Sequence, residues 1–236
     1  MGTPSGGWAR RSGVGSGVFR MTVCARKRIV RDYEQVSVQA ETLSVPLDLA
    51  ALFGRVAPVH VEIGSGKGTF LLDQARAHPE CDFLGVEWAN RYYRYAVDRM
   101  GRWGLTNVRL IRTDATAFVR QSLGDETVEA FHVYFPDPWP KKRHHKRRFF
   151  QDQNVEQLWR ALRPGGVVQF VTDHEPYYQS AREVIARQAD RWQEVPFERP
   201  AGAAEGEIVG TNYERKYRVE SRAIYALAVG KRPAMQ

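Results

Sequence analysis

Between positions 62 and 68 the chain reads Glu62-Ile63-Gly64-Ser65-Gly66-Lys67-Gly68. Glycines at this density permit a tight turn and let the backbone approach a ligand closely. The phosphate-cradling pattern G-x-x-x-x-G-K-[ST] does not fit. Its first glycine would fall at Val61, and Gly68 stands where the hydroxyl belongs. The dinucleotide pattern G-x-G-x-x-G also fails, because the third glycine comes one residue early. What remains is E-x-G-x-G-x-G, which reads either as a nucleoside-binding loop or as a structural turn. Two more acids follow. Glu87 lies 19 residues past Gly68, a spacing at which a carboxylate accepts hydrogen bonds from ribose hydroxyls. Asp114, in Thr113-Asp114-Ala115, can accept from an adenine amino group or simply cap a helix. Three carboxylates in succession suit a cationic ligand and would repel a pyrophosphate.

The most informative stretch begins at Tyr134-Phe135-Pro136-Asp137-Pro138-Trp139-Pro140 and runs straight into Lys141-Lys142-Arg143-His144-His145-Lys146-Arg147-Arg148. Prolines on both sides of Asp137 fix a stiff, extended loop with the acid held at its tip. The arrangement loosely resembles the D-P-P-[YF] loop of amino-methyltransferases, in which a polar group and a ring hold the target base. Here six cations follow at once, so one loop joins a reactive acid to a polyanion-binding block. The competing reading of the block is a solvated charge run. The two histidines do not suggest a metal site, because the surrounding cations would oppose a metal ion.

The glycine motif resembles the first motif of the Rossmann-like S-adenosylmethionine methyltransferases. Over about residues 29–230 the chain resembles the bacterial tRNA guanine-N7 methyltransferases. The resemblance is carried by V-E-I-G-S-G-K-G at 61–68, G-V-E at 85–87, T-D-A at 113–115 and F-P-D-P-W-P-K-K-R-H at 135–144. T-D-H-E-P-Y at 172–177 and T-N-Y-E at 211–214 complete it. It implies S-adenosyl-L-methionine as cofactor, held by Glu62, Gly64, Gly66, Glu87, Asp114 and Asp137, with Asp137 also catalytic. It implies substrate contacts at Lys141, Asp173, Thr211, Asn212, Tyr213 and Glu214. RNA contacts are implied at Arg143, His144, His145, Lys146, Arg147 and Arg148. Some of these residues have plainer uses. Asp173 can cap a helix, and Thr211 with Glu214 has the S/T-x-x-E spacing of a capping box.

The implied chemistry is self-consistent. Guanine N7 carries a lone pair and no hydrogen, so no base need remove a proton there. Asp137 would instead hold the guanine by accepting from its N1 and N2 hydrogens. N7 lies on the major-groove edge, which is deep and narrow in A-form RNA, so the target must be looped or turned out. The implied partner is tRNA, with neither DNA nor a membrane. The rivals are an enzyme of the same fold acting on an exocyclic amino group of DNA or protein, and a non-catalytic RNA-binding protein.

These residues need elements to position them. Strands are expected at 59–63, 82–87, 108–112, 128–135 and 166–172, with helices at 69–78, 90–101, 115–123, 150–162 and 176–189. The fourth helix closes at the breaker Arg163-Pro164-Gly165-Gly166. This rhythm predicts an α/β fold, a parallel sheet with helices on both faces. Strands at 191–197 and 222–230, with no helix between them, predict an antiparallel C-terminal pair. The resemblance sharpens this to a Rossmann-like class I methyltransferase with a mostly parallel seven-stranded sheet. Ligands of such sheets sit outside the carboxyl ends of the strands, where the acids above fall.

Composition sets the outer limits. With 26% charged and 43% apolar residues over 236 positions, the chain is that of an ordinary globular protein. No apolar run approaches the roughly 18–20 residues of a membrane span. Cys24 and Cys81 share no motif, which excludes a disulfide framework and fits a cytoplasmic location. The net charge of +8 is unevenly placed. Seven Lys/Arg in residues 1–31 and six in 141–148, with no acid in either block, leave the rest of the chain at −5. Residues 1–22 are rich in Gly and Ser; a disordered basic tail is expected over 1–28, followed by a single domain at 29–232. Both monomer and homodimer are compatible with the sequence.

Overall fold

β-branched and aromatic runs between helix-length amphipathic segments dictate a layered sheet, and a computed structural model of the chain has that form. It describes residues 1–2, 31 and 33–232. The expected basic tail at 1–28 lies almost wholly outside the described residues, as does Cys24. In chain order the elements are β1 (Ser37–Val38), α1 (Leu49–Phe53), β2 (Val59–Ile63), α2 (Thr69–Ala77), β3 (Asp82–Val86), α3 (Asn90–Arg102), β4 (Val108–Ile111) and α4 (Ala115–Gln121). β5 (Val128–Tyr134), α5 (Asp152–Ala161), β6 (Leu162–Thr172), α6 (Glu175–Arg187), β7 (Trp192–Glu194), α7 (Asn212–Val219) and β8 (Tyr225–Lys231) follow.

The strands form one sheet in the order β1-β4-β3-β2-β5-β6-β8-β7. Only β8 runs against the rest, pairing antiparallel with both β6 and β7. The central strands are buried on both faces, so β3 (DFLGV) has no polar-out alternation. One apolar cluster joins α4, α5 and α6 to the sheet through Phe118, Leu158 and Tyr177. The other joins α2 and α3 through Phe70, Leu71, Val97 and Met100. No helix among the described residues is long and apolar enough to cross a membrane.

Three expectations need correction. The sheet has eight strands, not seven, because the two-residue β1 adds to the edge of β4. β7 and β8 are not joined by helix-free chain, since α7 stands between them. The breaker at 163–166 lies inside β6: the strand pairs first at Val128↔Leu162 and resumes at Ala130↔Val167. The excess residues bulge out there, which accommodates the proline and glycines.

Candidate active site

The carboxyl ends of β2, β3, β4 and β5 meet at one edge of the sheet, and a cleft opens there. It has two lobes, of about 260 Å³ and 430 Å³. Glu62, Ser65, Thr69, Phe70, Thr211 and Asn212 line the first. Glu87, Trp88, Asp114, Asp137, Trp139 and Asp173 line the second.

The glycine loop shapes the first lobe. Gly64, Gly66 and Gly68 all have left-handed φ, of 76°, 54° and 66°. At Gly68 the absence of a side chain also matters for packing: a Cβ there would lie 2.7 Å from Met100 Cε. Glu87 ties this loop to the end of β3. Its Oε2 accepts from Gly66 N at 2.7 Å and its Oε1 from Ala89 N at 2.7 Å. Each oxygen keeps a lone pair for a ligand. Glu62 is 4% exposed, and its Oε2 has no hydrogen-bond partner, as is true of Ser65 Oγ. Burial, with Glu87 nearby, holds the Glu62 carboxyl well above the usual carboxylate range. Buried polar atoms without partners are rare, so both point to a ligand that supplies the missing bonds.

A chain of buried polar side chains runs beneath Tyr134. His60 Nδ1 lies 3.1 Å from His132 Nε2, and His132 Nδ1 lies 2.8 Å from Tyr134 Oη. Tyr134 Oη donates to Gln169 Oε1 at 2.7 Å, and Gln169 Nε2 donates to Glu198 O at 2.9 Å. The directions fix the rest: Tyr134 accepts from His132 Nδ1–H, and His132 Nε2 accepts from His60 Nδ1–H. His132, donating from one nitrogen and accepting at the other, is therefore neutral, and burial lowers the pKa values of both imidazoles, that of His60 to about 4.

The second lobe is closed by the loop after β5. Phe135 (φ 50°) and Trp139 (φ 44°) are left-handed without being glycine, and they bracket the exposed Asp137. Such positions persist only where surrounding structure over-determines them. Two bonds do so here. Phe135 N donates to Val171 O at 2.7 Å, and Arg148 Nε donates to Pro138 O at 2.8 Å. The cations beyond form a 3-10 helix over Lys142–Arg147, with Arg147 over the Trp139 ring at 5.0 Å. Lys141, Lys142, Arg143, Lys146 and Arg147 are exposed; His144 and His145 are half-buried.

Several expected site residues have structural partners of their own. Arg148 is 4% exposed and stacks over Tyr177 at 4.8 Å, so it braces the Asp137 loop from behind rather than facing solvent. Asp114 caps α4, accepting from Ala117 N at 2.8 Å, yet it still lines the second lobe. Asp173 does not cap α6, a task that falls to His174; it pairs with Arg222 at 2.7 Å. Thr211 caps α7, accepting from Glu214 N at 3.2 Å. Glu214 is fully buried and accepts from the backbone N–H groups of Ile208, Val209 and Gly210 and from Arg218. It shapes the turn that carries Thr211 and Asn212 to the cleft. Lys141 lines neither lobe. Tyr92 and Tyr134, which line both, were not among the expected residues. Tyr134 had a signal in its place two residues before Pro136; Tyr92, inside a helix, had none.

An α/β sheet with one reversed strand near its edge, a glycine loop after a central strand and acids on the next two strand ends define a class I methyltransferase. Solved structures share this fold: the 16S rRNA methyltransferase KamB aligns with a TM-score of 0.58 at 16% identity, over 78% of this chain and 92% of that one. The antibiotic-resistance methyltransferase Kmr aligns at 0.52 and 18% identity, over 80% and 93%. The family described as “Putative methyltransferase” matches residues 56–227. Among curated relatives, the tRNA (guanine-N(7)-)-methyltransferase of Nitrosococcus oceani is 39% identical over 72% of this chain and 71% of its own length. That of Thiobacillus denitrificans is 40% identical over 76% and 75%. The chain belongs to the tRNA (guanine-N(7)-)-methyltransferase family.

Proposed function

We propose that the protein transfers a methyl group from S-adenosylmethionine to N7 of a guanine in tRNA. The observation that carries this reading is the cleft itself. Unpartnered buried acceptors line one lobe, and an acid-bearing loop that leads into exposed cations closes the other. The residues fit the cofactor. Glu62, Ser65 and the glycine loop would hold its amino-acid end, while Glu87 and Asp114 would accept from ribose and adenine. The cofactor supplies an electrophilic methyl on a positively charged sulfur.

The chain's own work is positioning. Asp137, at the tip of a doubly braced loop, accepts from the N1 and N2 hydrogens of guanine and offsets the positive charge that develops on the ring. No general base is required, since N7 has no proton to lose. Lys142, Arg143, Lys146 and Arg147 neutralise phosphates around the target nucleotide. Thr211 and Asn212 line the lobe of Glu62, which supports a contact of the start of α7 with the cofactor as well as the expected one with substrate.

The test is to incubate the protein with methyl-labelled cofactor and, separately, a tRNA transcript, duplex DNA and a protein mixture. Label should enter tRNA alone and should map to a guanine whose glycosidic bond becomes labile, the mark of N7 methylation. Label in an exocyclic amino group of DNA or protein would overturn the reading, and no transfer with retained tRNA binding would make the protein a binder.

A further inference from the structure

The two lobes of the cleft share five lining residues: Gly64, Gly66, Tyr92, Tyr134 and Tyr213. We infer that Tyr92, Tyr134 and Tyr213 form an aromatic cage around the sulfonium of the cofactor, so that the protein prefers the charged methyl donor to its neutral product. This rests on the cofactor reading above and adds three residues to it. The sulfur joins the amino-acid chain to the ribose. With acceptors for one end in the first lobe and for the other in the second, the sulfur falls at the waist between them. That waist is two glycines and three rings.

The rings come from three separate elements. Tyr92 stands on α3, Tyr134 ends β5 and Tyr213 stands on α7. Tyr134 has its hydroxyl spent, donating to Gln169 and accepting from His132, so its ring is what it offers the cleft. Phe70 packs against that ring at 5.1 Å, with an interplanar angle of 80°. Tyr213 lies across the glycine loop: a Cβ on Gly66 would sit 3.8 Å from its ring. Tyr92 lines the same waist from α3, and its phenol acts electrostatically on that of Tyr213.

Geometry favours rings over the obvious acid. Glu62 lines the first lobe alone and not the shared waist, and burial raises its carboxyl pKa well above the usual range. The phenols of Tyr134 and Tyr213 stay neutral: burial raises Tyr134 well above its ordinary value, and partial desolvation with Tyr92 nearby raises Tyr213 to about 12. A neutral aromatic face attracts a cation, most strongly where water is excluded. During transfer the bond between sulfur and methyl breaks, its electron pair stays on sulfur, and the methyl carbon bonds to the N7 lone pair. The product is a neutral thioether that the rings no longer attract. Because the attraction is strongest for the bound reactant and fades as charge leaves sulfur, it tightens donor binding and eases product release without lowering the chemical barrier.

The experiment is calorimetry of the full chain with S-adenosylmethionine and, separately, with S-adenosylhomocysteine. Tyr92→Leu and Tyr213→Leu should each weaken the cation by about 5-fold and the thioether by less than about 2-fold, while the Phe variants at these positions should keep the wild-type ratio. Tyr134 is buried, so its ring is probed by Tyr134→Phe, expected to keep the ratio, and by fluorinated tyrosines, which preserve shape while draining the ring face. Successive fluorination should lower affinity for the cation and leave the thioether unchanged. Equal losses for both ligands, or a flat fluorination series, would overturn the cage. Failure of the wild-type protein to bind either ligand would overturn the cofactor reading instead.

Discussion

From Glu62 to Gly68 the polar side chains of Glu62 and Ser65 are buried, and the backbone is held by left-handed glycines and by Glu87. From Lys141 to Arg147, five of seven side chains are exposed cations, four of them on a short 3-10 helix. The two segments leave β2 and β5, adjacent strands of one sheet, at the same edge. The first is suited to a small ligand through desolvated hydrogen-bond acceptors, which salt barely affects. The second is suited to a polyanion through charges in water, which salt screens. Asp137 lies at their border: exposed like the cations, but fixed in place like the glycine loop, since Arg148 and Val171 hold its loop from behind. A preorganised acid beside a steering block lets binding and chemistry be perturbed separately.

The largest effect should come from that border. Asp137→Asn keeps the shape but replaces an acceptor oxygen with a donor. Single-turnover rates at saturating tRNA and cofactor should fall about 10²–10³-fold, with tRNA affinity within about 3-fold. A rate near wild type would remove Asp137 from the chemistry. Next comes Glu87→Ala, which leaves Gly66 N and Ala89 N without their acceptor as well as any ribose hydroxyls. Cofactor affinity by calorimetry should drop about 10–100-fold, the cost of buried donors left unpaired.

Acid should distinguish the buried side from the exposed one. His60, half-buried at one end of the polar chain, has its pKa lowered to about 4 from an ordinary value near 6.5. Between those values the unfolded chain binds the proton more readily, so stability is present at neutral pH and is lost as pH falls from about 6.5 toward 4. At pH 5 the loss from this group is about 2 kcal/mol relative to pH 7, read from urea unfolding. His60→Gln should flatten that dependence; an unchanged profile would show that the imidazole is not titrating.

The smallest effect belongs to the cationic helix. Replacing Lys142, Arg143, Lys146 and Arg147 with Ala should reduce the log–log salt slope of tRNA binding by roughly 2 units and leave cofactor affinity unchanged. Arg148 is kept, because its loss would release Pro138 and confound the comparison. Equal slopes would reduce the block to a solvated surface.

Much of this was legible in the residues alone. β-branched runs marked β2 to β6, and the glycine and proline spacings marked both loops, because strand burial and backbone dihedrals are local demands. The two-residue β1 and five-residue α1 are too short for periodicity to reveal. Capping-box spacing at Thr211 and Glu214 held the signal for α7, but only the fold brings that helix back to the cleft.

Charge type says nothing about burial. Arg147 and Arg148 are neighbours of the same kind, yet one faces the cleft mouth and the other is sealed against Pro138 and Tyr177. Glu214 likewise shares a motif with Thr211 but spends its oxygens on three backbone N–H groups and Arg218. The sequence by itself determined which backbones turn, which strands are central and which residue types stand at their ends. Tertiary structure alone decided that tyrosines from α3, β5 and α7 meet at one waist, and which polar atoms are left without partners. Those outcomes depend on distances between segments up to 121 residues apart, from Tyr92 to Tyr213, which no local pattern encodes.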